Sequence, residues 1–244
     1  VTPRSKATPE KLKQYNANAG VAYIDIDGDI PAIAGSAARL CFVDTPGPNN
    51  SATQEHREIM RSVLKDAEHE PLILYVLDAT KPQDDSEAVL LEEIGDLLKR
   101  EDAHSRIVFV LNKADMLDSN TYRDGTMNEV LERYRTYLKR IGLPEAPIFP
   151  VSAHAALLFR LKQKGIPISE KNERFLQMFC DLRSFSSEDL LPELYGAQIK
   201  CMKEQAIEKH DDAAMNIINT GIVGLELYIS DLLPETAKKR TASE

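Results

Sequence analysis

Ile107-Val108-Phe109-Val110-Leu111-Asn112-Lys113-Ala114-Asp115 is the stretch on which the fold turns. Five apolar residues in a row, with no polar alternate, read as a strand buried on both faces. That is the mark of a parallel sheet covered by helices. The run then breaks into Asn112, Lys113 and Asp115, three polar side chains around a small one. In an open parallel sheet, ligands bind just beyond such a carboxyl end.

Two further apolar runs flank this one. Leu72 to Leu77 starts after Pro71, and Ile148 to Val151 is a last short strand. The segments between them carry helical spacing. Asp84, Asp85 and Ser86 are placed to cap a helix whose apolar stripe is Val89, Leu90, Ile94, Leu97 and Leu98. A helix over Asp124 to Ile141 turns Val130, Leu131, Tyr134 and Leu138 inward, with Gly142 as its C-terminal cap. Upstream, Thr53 to His69 has helical spacing at Ile59, Met60, Val63, Leu64 and Ala67. Val21 to Ile26 alternates in the manner of a half-buried strand, and Arg39 to Val43 is a second short run. With a turn-rich link between them, these two predict an antiparallel hairpin. After Val151 only helices are predicted: Ala155 to Lys164, Glu170 to Leu182, Leu194 to Ala214 and Ile222 to Leu232. The expected class is α/β, a mostly parallel sheet flanked by helices, with an antiparallel hairpin and an all-helical C-terminal part. The expected organisation is a lead-in over 1–19 with a short helix near Glu10 to Tyr15, a main domain over 20–233 with a helical insertion at about 155–219, and a disordered tail over 234–244.

The 244 residues carry 30 Lys+Arg against 39 Asp+Glu, a net charge of -9, and are 43% hydrophobic and 28% charged. That balance is globular rather than disordered. A domain of this size buries enough surface to need no disulfide or metal staple. The longest apolar run is far short of the roughly 20 residues of a membrane span, and the polar opening has no apolar core of a signal peptide. Cys41, Cys180 and Cys201 are scattered and lack metal-ligand spacing, which predicts a reducing, cytoplasmic setting. The acidic balance argues against nucleic acid as a partner.

Three clusters fall at predicted strand ends: Asp44-Thr45-Pro46-Gly47, Asn112 to Asp115, and Ser152-Ala153-His154. A carboxylate such as Asp44 can hold magnesium through a water. Gly47 lets its backbone N–H approach a phosphate oxygen without a side-chain clash. A carboxylate at Asp115 can accept two hydrogen bonds from the N–H edge of guanine, an edge adenine lacks. The stem of Lys113 can lie over a base, Asn112 can tie neighbouring loops, and a backbone N–H at Ser152-Ala153 can donate to a base carbonyl. The ordinary alternatives are a strand-end aspartate capping the next helix for Asp44 and an exposed loop acid for Asp115. Asp78 is read as capping the turn at Thr80 to Pro82, and His154 as an ordinary loop or helix-start histidine.

Taken in order, Asp44-Thr45-Pro46-Gly47, Asn112-Lys113-Ala114-Asp115 and Ser152-Ala153 resemble the third, fourth and fifth motifs of P-loop GTPases. The longer string Asp44-Thr45-Pro46-Gly47-Pro48-Asn49 resembles the dynamin superfamily, particularly its bacterial members. So do Phe149-Pro150-Val151-Ser152, the hairpin before Asp44, and Thr220-Gly221-Ile222 leading into Leu225 and Ile229. The resemblance covers roughly Val21 to Leu233. It implies GTP or GDP with Mg2+ as cofactors and GTP hydrolysis coupled to self-assembly or membrane remodelling. Homo-oligomer formation and peripheral membrane association would then lie in regions outside this sequence. It also implies phosphate-side roles for Asp44 and Gly47, with Asp44 on the metal, and base-side roles for Asn112, Lys113, Asp115, Ser152 and Ala153. The family's Gly-x-x-x-x-Gly-Lys-Ser/Thr loop occurs nowhere in the chain. With valine as the first residue, the expectation is a G-domain fragment lacking its P-loop, inactive alone. The alternatives are a degenerate G domain serving as a nucleotide-independent scaffold, and a regulatory GTPase outside the dynamin branch.

Overall fold

The computed structural model describes residues 8–18, 24, 26, 30–33, 42–44, 72–80, 91–92, 94–96, 107–117, 127–144, 146–180 and 192–232. Its main elements run α1 (Pro9–Asn16), β1 (Ile73–Asp78), β2 (Ile107–Asn112), α2 (Met127–Arg140), β3 (Ile148–Val151), α3 (Ala153–Gln163), α4 (Glu170–Cys180), α5 (Ala197–Glu208), α6 (Asp212–Asn219) and α7 (Ile222–Leu232). The three strands form a parallel sheet in the order β1-β2-β3. Asp78 pairs with Asn112, and Asn112 with Val151, so the three carboxyl ends finish level with one another.

The side chains of β2 explain the layering. Ile107, Phe109 and Leu111 point to one face, where they pack with Leu91, Ile94 and the α2 residues Val130, Leu131, Tyr134 and Leu138. Val108 and Val110 point to the other, against Phe149, Val151, Ile33 and the α7 residues Leu225 and Ile229. Burying one such side chain contributes about 1.5–3 kcal/mol. Five buried in succession make β2 a firm base for the loop that follows it. This is the α/β sandwich expected for a P-loop GTPase fold. A third cluster lies among the C-terminal helices. Leu158 and Phe159 of α3, Leu176 and Phe179 of α4, Ile199 of α5 and Ile217 of α6 pack together there, and Ala114 reaches into it from the loop after β2.

Local chemistry sets the helix ends. Thr8 caps α1, its hydroxyl accepting from the Lys11 N–H at 3.3 Å. At the end of α2, Gly142 has φ 89°. The Leu143 N–H reaches Leu138 O at 2.8 Å and the Gly142 N–H reaches Lys139 O at 3.2 Å, a Schellman motif. The cap at Gly142 is thus as expected.

Two expectations need correction. Leu194 to Ala214 is not one helix. A π-helical turn at Pro192–Gly196 leads into α5, the chain turns at Lys209 and His210, and α6 starts afresh. His210 adopts a left-handed φ of 53°, and the Asp211 carboxylate caps α6 by accepting from the Ala214 N–H at 2.9 Å. The Asp211-Asp212 pair is a capping signal that the apolar periodicity hid. The expected hairpin also finds no counterpart in those of its residues that are described. Ile24, Ile26, Phe42 and Val43 are outside any strand and exposed. The rest of the hairpin, the helix over Thr53 to His69, the Asp84 to Ser86 cap and the tail over 234–244 lie outside the described residues.

Candidate functional site: the level ends of the strands

Because the strands end in register, the loop after β2 and the start of α3 lie side by side. Asn112 joins them. Its side-chain Oδ1 accepts from the Lys113 N–H at 2.8 Å and from the Ala153 N–H at 3.2 Å. One acceptor with two donors, the second 41 residues away in sequence, fixes both loops against the sheet. Lys113 sits in the left-handed region at φ 62°, an unusual place for a side chain with a Cβ. The chain then makes a short 3-10 turn, Ala114–Met116, with Ala114 fully buried. Buried Ala114 anchors the turn, and half-buried Asp115 follows directly. The Asp115 carboxylate has no hydrogen-bond partner among the described residues.

The start of α3 is held from the opposite side. Ser152 is 1% exposed and its hydroxyl caps the helix, accepting from the Ala155 N–H at 3.4 Å. Its own N–H donates to Thr220 O at 2.8 Å. Thr220 is buried, and its hydroxyl donates to Ile217 O at 2.6 Å. Gly221 follows with φ 79°, which lets α6 turn sharply into α7. The junction of the last two helices therefore props up the Ser152 loop. The ring of His154 lies 4.9 Å from that of Phe175 in α4, a packing role in keeping with its ordinary reading.

Asp78, at the end of β1, belongs to the same edge. Its Oδ1 accepts from the Thr80 N–H at 3.0 Å and the Thr80 hydroxyl at 2.6 Å, the turn-capping role expected of it. Its Oδ2 also receives the Lys113 ammonium at 2.6 Å. Burial alone would raise its pKa. The hydrogen bonds from Lys113 and Thr80, with the Lys113 charge, outweigh that and hold it down at about 2. Sequence reading missed this pair because its members are 35 residues apart. Only the parallel register of β1 on β2 brings them together.

The structure thus gathers Asn112, Lys113 and Ala153, with Asp115 in the adjoining turn and Ser152 beneath. Of the Ser152-Ala153 amides expected to offer an N–H to a base, that of Ser152 donates to Thr220 O and that of Ala153 to Asn112, while the next amide, that of His154, has no partner among the described residues. Asp44 is exposed, on backbone outside any strand, and makes no hydrogen bond among the described residues. Gly47 lies outside them.

A parallel sheet bearing this loop constellation at its carboxyl edge is consistent with the α/β fold of a P-loop GTPase. Residues 16–113 match the model of a family described as 50S ribosome-binding GTPase, a stretch that takes in Asp44 and Gly47 and ends at Lys113. Two curated relatives, each named GTPase Era, come from two strains of Treponema pallidum. Each is 25% identical over 203 residues, covering 78% of this chain and 58% of the relative. The chain therefore spans less than two thirds of the length of these relatives. No solved structure matches. The fold and the comparisons both support likeness to a GTPase-type G domain, and the relatives found are named GTPase Era, not dynamin. Among the described residues no helix is long and apolar enough to cross a membrane.

Proposed function

We propose that the carboxyl edge of the sheet binds a guanine nucleotide. The observation that carries this reading is the half-buried Asp115 carboxylate, without a hydrogen-bond partner among the described residues and held in a turn that Asn112 and Ala114 fix. Such a carboxylate is suited to the two N–H donors of guanine and would be left unpaired by adenine. The Lys113 stem lies over the base plane, and the His154 N–H, beside Ala153, is placed for the base carbonyl. Calorimetry of the chain with GTP, GDP and ATP tests this, with titration into the millimolar range. Guanine nucleotides are expected to bind and ATP to bind at least roughly tenfold more weakly. Asp115→Asn is expected to lose GTP affinity and gain xanthine-nucleotide affinity. Equal affinity for ATP and GTP would refute the assignment.

On the phosphate side, Asp44 and Gly47 are the proposed contacts. Among the described residues no three His, Cys, Asp or Glu side chains gather into a metal cluster. A single exposed carboxylate at Asp44 fits a magnesium ion that keeps most of its water shell and takes phosphate oxygens as ligands. When bound, the ion neutralises phosphate charge. Hydrolysis of GTP by the whole protein is the corresponding activity.

For the process that hydrolysis drives, the string Asp44 to Asn49 and the Thr220-Gly221-Ile222 lead into α7 favour a dynamin-like protein coupled to self-assembly or membrane remodelling. The match to Era-type GTPases favours a second reading, a regulatory GTPase outside that branch. Pelleting of the whole protein with anionic vesicles in the presence of GTP separates the two, because only the first expects nucleotide-dependent sedimentation.

A further inference from the structure

Three features of the sheet edge bear on how the base contact is held in place. Lys113 is exposed, with 51% of its side chain open to solvent, and a free lysine there would sample many rotamers. Its ammonium is instead fixed on Asp78 Oδ2 at 2.6 Å. The second oxygen of Asp78 is occupied by both the N–H and the hydroxyl of Thr80. The carboxylate therefore has little freedom to turn away. The strand ends are themselves locked, with Asp78 opposite Asn112 and the Ala79 N–H donating to Asn112 O at 2.9 Å. Among the described residues, the exposed pair of Lys162 with Glu173 joins two helices at the surface at 2.7 Å and holds no loop of the site.

We propose that Asp78 is a positioning residue for nucleotide binding, acting through Lys113. It touches no nucleotide. It draws the lysine head toward β1, so that the apolar stem spans the edge where the base lies and its rotamer freedom is lost before binding rather than on binding. Thr80 is the anchor that keeps Asp78 in this orientation. The inference deepens the guanine-binding reading and rests on it. It carries a distinct signature, because a stem packed on a base face is indifferent to the base's hydrogen-bonding edge. Asp78 therefore tunes affinity for guanine and xanthine nucleotides alike, whereas Asp115 sets the choice between them.

The experiment is a double-mutant cycle on the 244-residue chain, read by calorimetry with GDP up to millimolar concentration. Asp78→Asn is expected to weaken GDP about two- to fivefold, the range for a partly exposed ion pair. Lys113→Met keeps the apolar stem and removes the charge. In that background Asp78→Asn is expected to change affinity little, since its effect runs through the lysine. In the Asp115→Asn background, Asp78→Asn is expected to weaken the xanthine nucleotide by the same factor as GDP. Thr80→Val, which leaves both charges in place, should reproduce a smaller loss that also vanishes with Lys113→Met, and it serves where Asp78→Asn fails to fold. An equal loss with and without the Lys113 charge would overturn the proposal and reduce Asp78 to a general prop of the strand end. An unchanged GDP affinity in Asp78→Asn would overturn it too, while leaving guanine binding intact. Failure of the unaltered chain to bind any guanine nucleotide would overturn the reading beneath it, and the proposal as well.

Discussion

Asp78 and Lys113 show how a single contact ties acid sensitivity to the site. The Asp78 carboxyl is held down from 3.8 to about 2, because the bonds from Lys113 and Thr80 outweigh the effect of burial. A carboxyl whose folded pKa lies below its unfolded value contributes stability above the unfolded value. That contribution is lost as pH falls through the folded one. The window therefore runs from about pH 4 down to about pH 2. After allowance for solvent screening on the exposed lysine, the contribution is about 1 kcal/mol. Urea unfolding of the chain at about pH 6 and at stepped values below about 4 should show Asp78→Asn narrowing the acid-induced loss by about that amount. An identical pH slope in both proteins would exclude the pair as a source of acid sensitivity. The same residues mark a boundary of sequence reading. Asn112, Lys113 and Asp115 were legible as candidates because they end an unmistakable buried strand. The partner of Lys113 was not, because it depends on register between two strands.

At the scale of elements, the sheet was legible and the helical part only partly so. Ile107 to Leu111 and Ile148 to Val151 are apolar without interruption, and in a parallel sheet that pattern has one reading. Gly142 was equally plain, since a glycine after a periodic run marks a left-handed cap. The break between α5 and α6 was hidden because the polar Lys209-His210-Asp211-Asp212 run can sit on a solvated helix face as easily as in a turn. The structure resolves this with the Asp211 N–H donating to Ala206 O at 2.8 Å and the His210 N–H to Ile207 O at 3.1 Å. That is the same capping geometry as at Gly142, now with a histidine in the left-handed position. A side chain with a Cβ costs about 1–2 kcal/mol there, whereas glycine does not. His210→Gly is therefore expected to stabilise the chain by about 1 kcal/mol, read as a higher urea midpoint with an unchanged slope. A lower midpoint would mean that the extra freedom of glycine in the unfolded chain outweighs the relief of strain.

For the molecule as a whole, the question is how the C-terminal helices are coupled to the sheet that carries the site. Thr220 does this through the backbone of Ser152, and a second link is electrostatic. The Arg160 guanidinium of α3 donates to the Glu226 carboxylate of α7 at 2.7 Å. Side-chain exposure is 35% for the arginine and 15% for the glutamate. Burial raises the Glu226 pKa, and Arg160 offsets this only in part. Desolvation thus outweighs attraction, so the pair specifies how α3 meets α7 without adding much net stability. Two outcomes follow from that balance. Arg160→Met alone leaves a largely buried carboxylate unpaired and is expected to cost about 1–3 kcal/mol. Making Glu226→Leu as well removes the stranded charge, and the double variant is expected to recover most or all of that loss. Because the folded pKa of Glu226 is raised, protonation favours the folded chain. The Arg160→Met loss should therefore shrink as pH falls below neutrality toward the carboxylate range. Urea midpoints of the two variants at about pH 7 and about pH 5 decide it. Additive losses in the double variant would show instead that the pair stabilises the packing of α3 on α7 outright, and that the helical part is bound to the sheet by charge as much as by its apolar core.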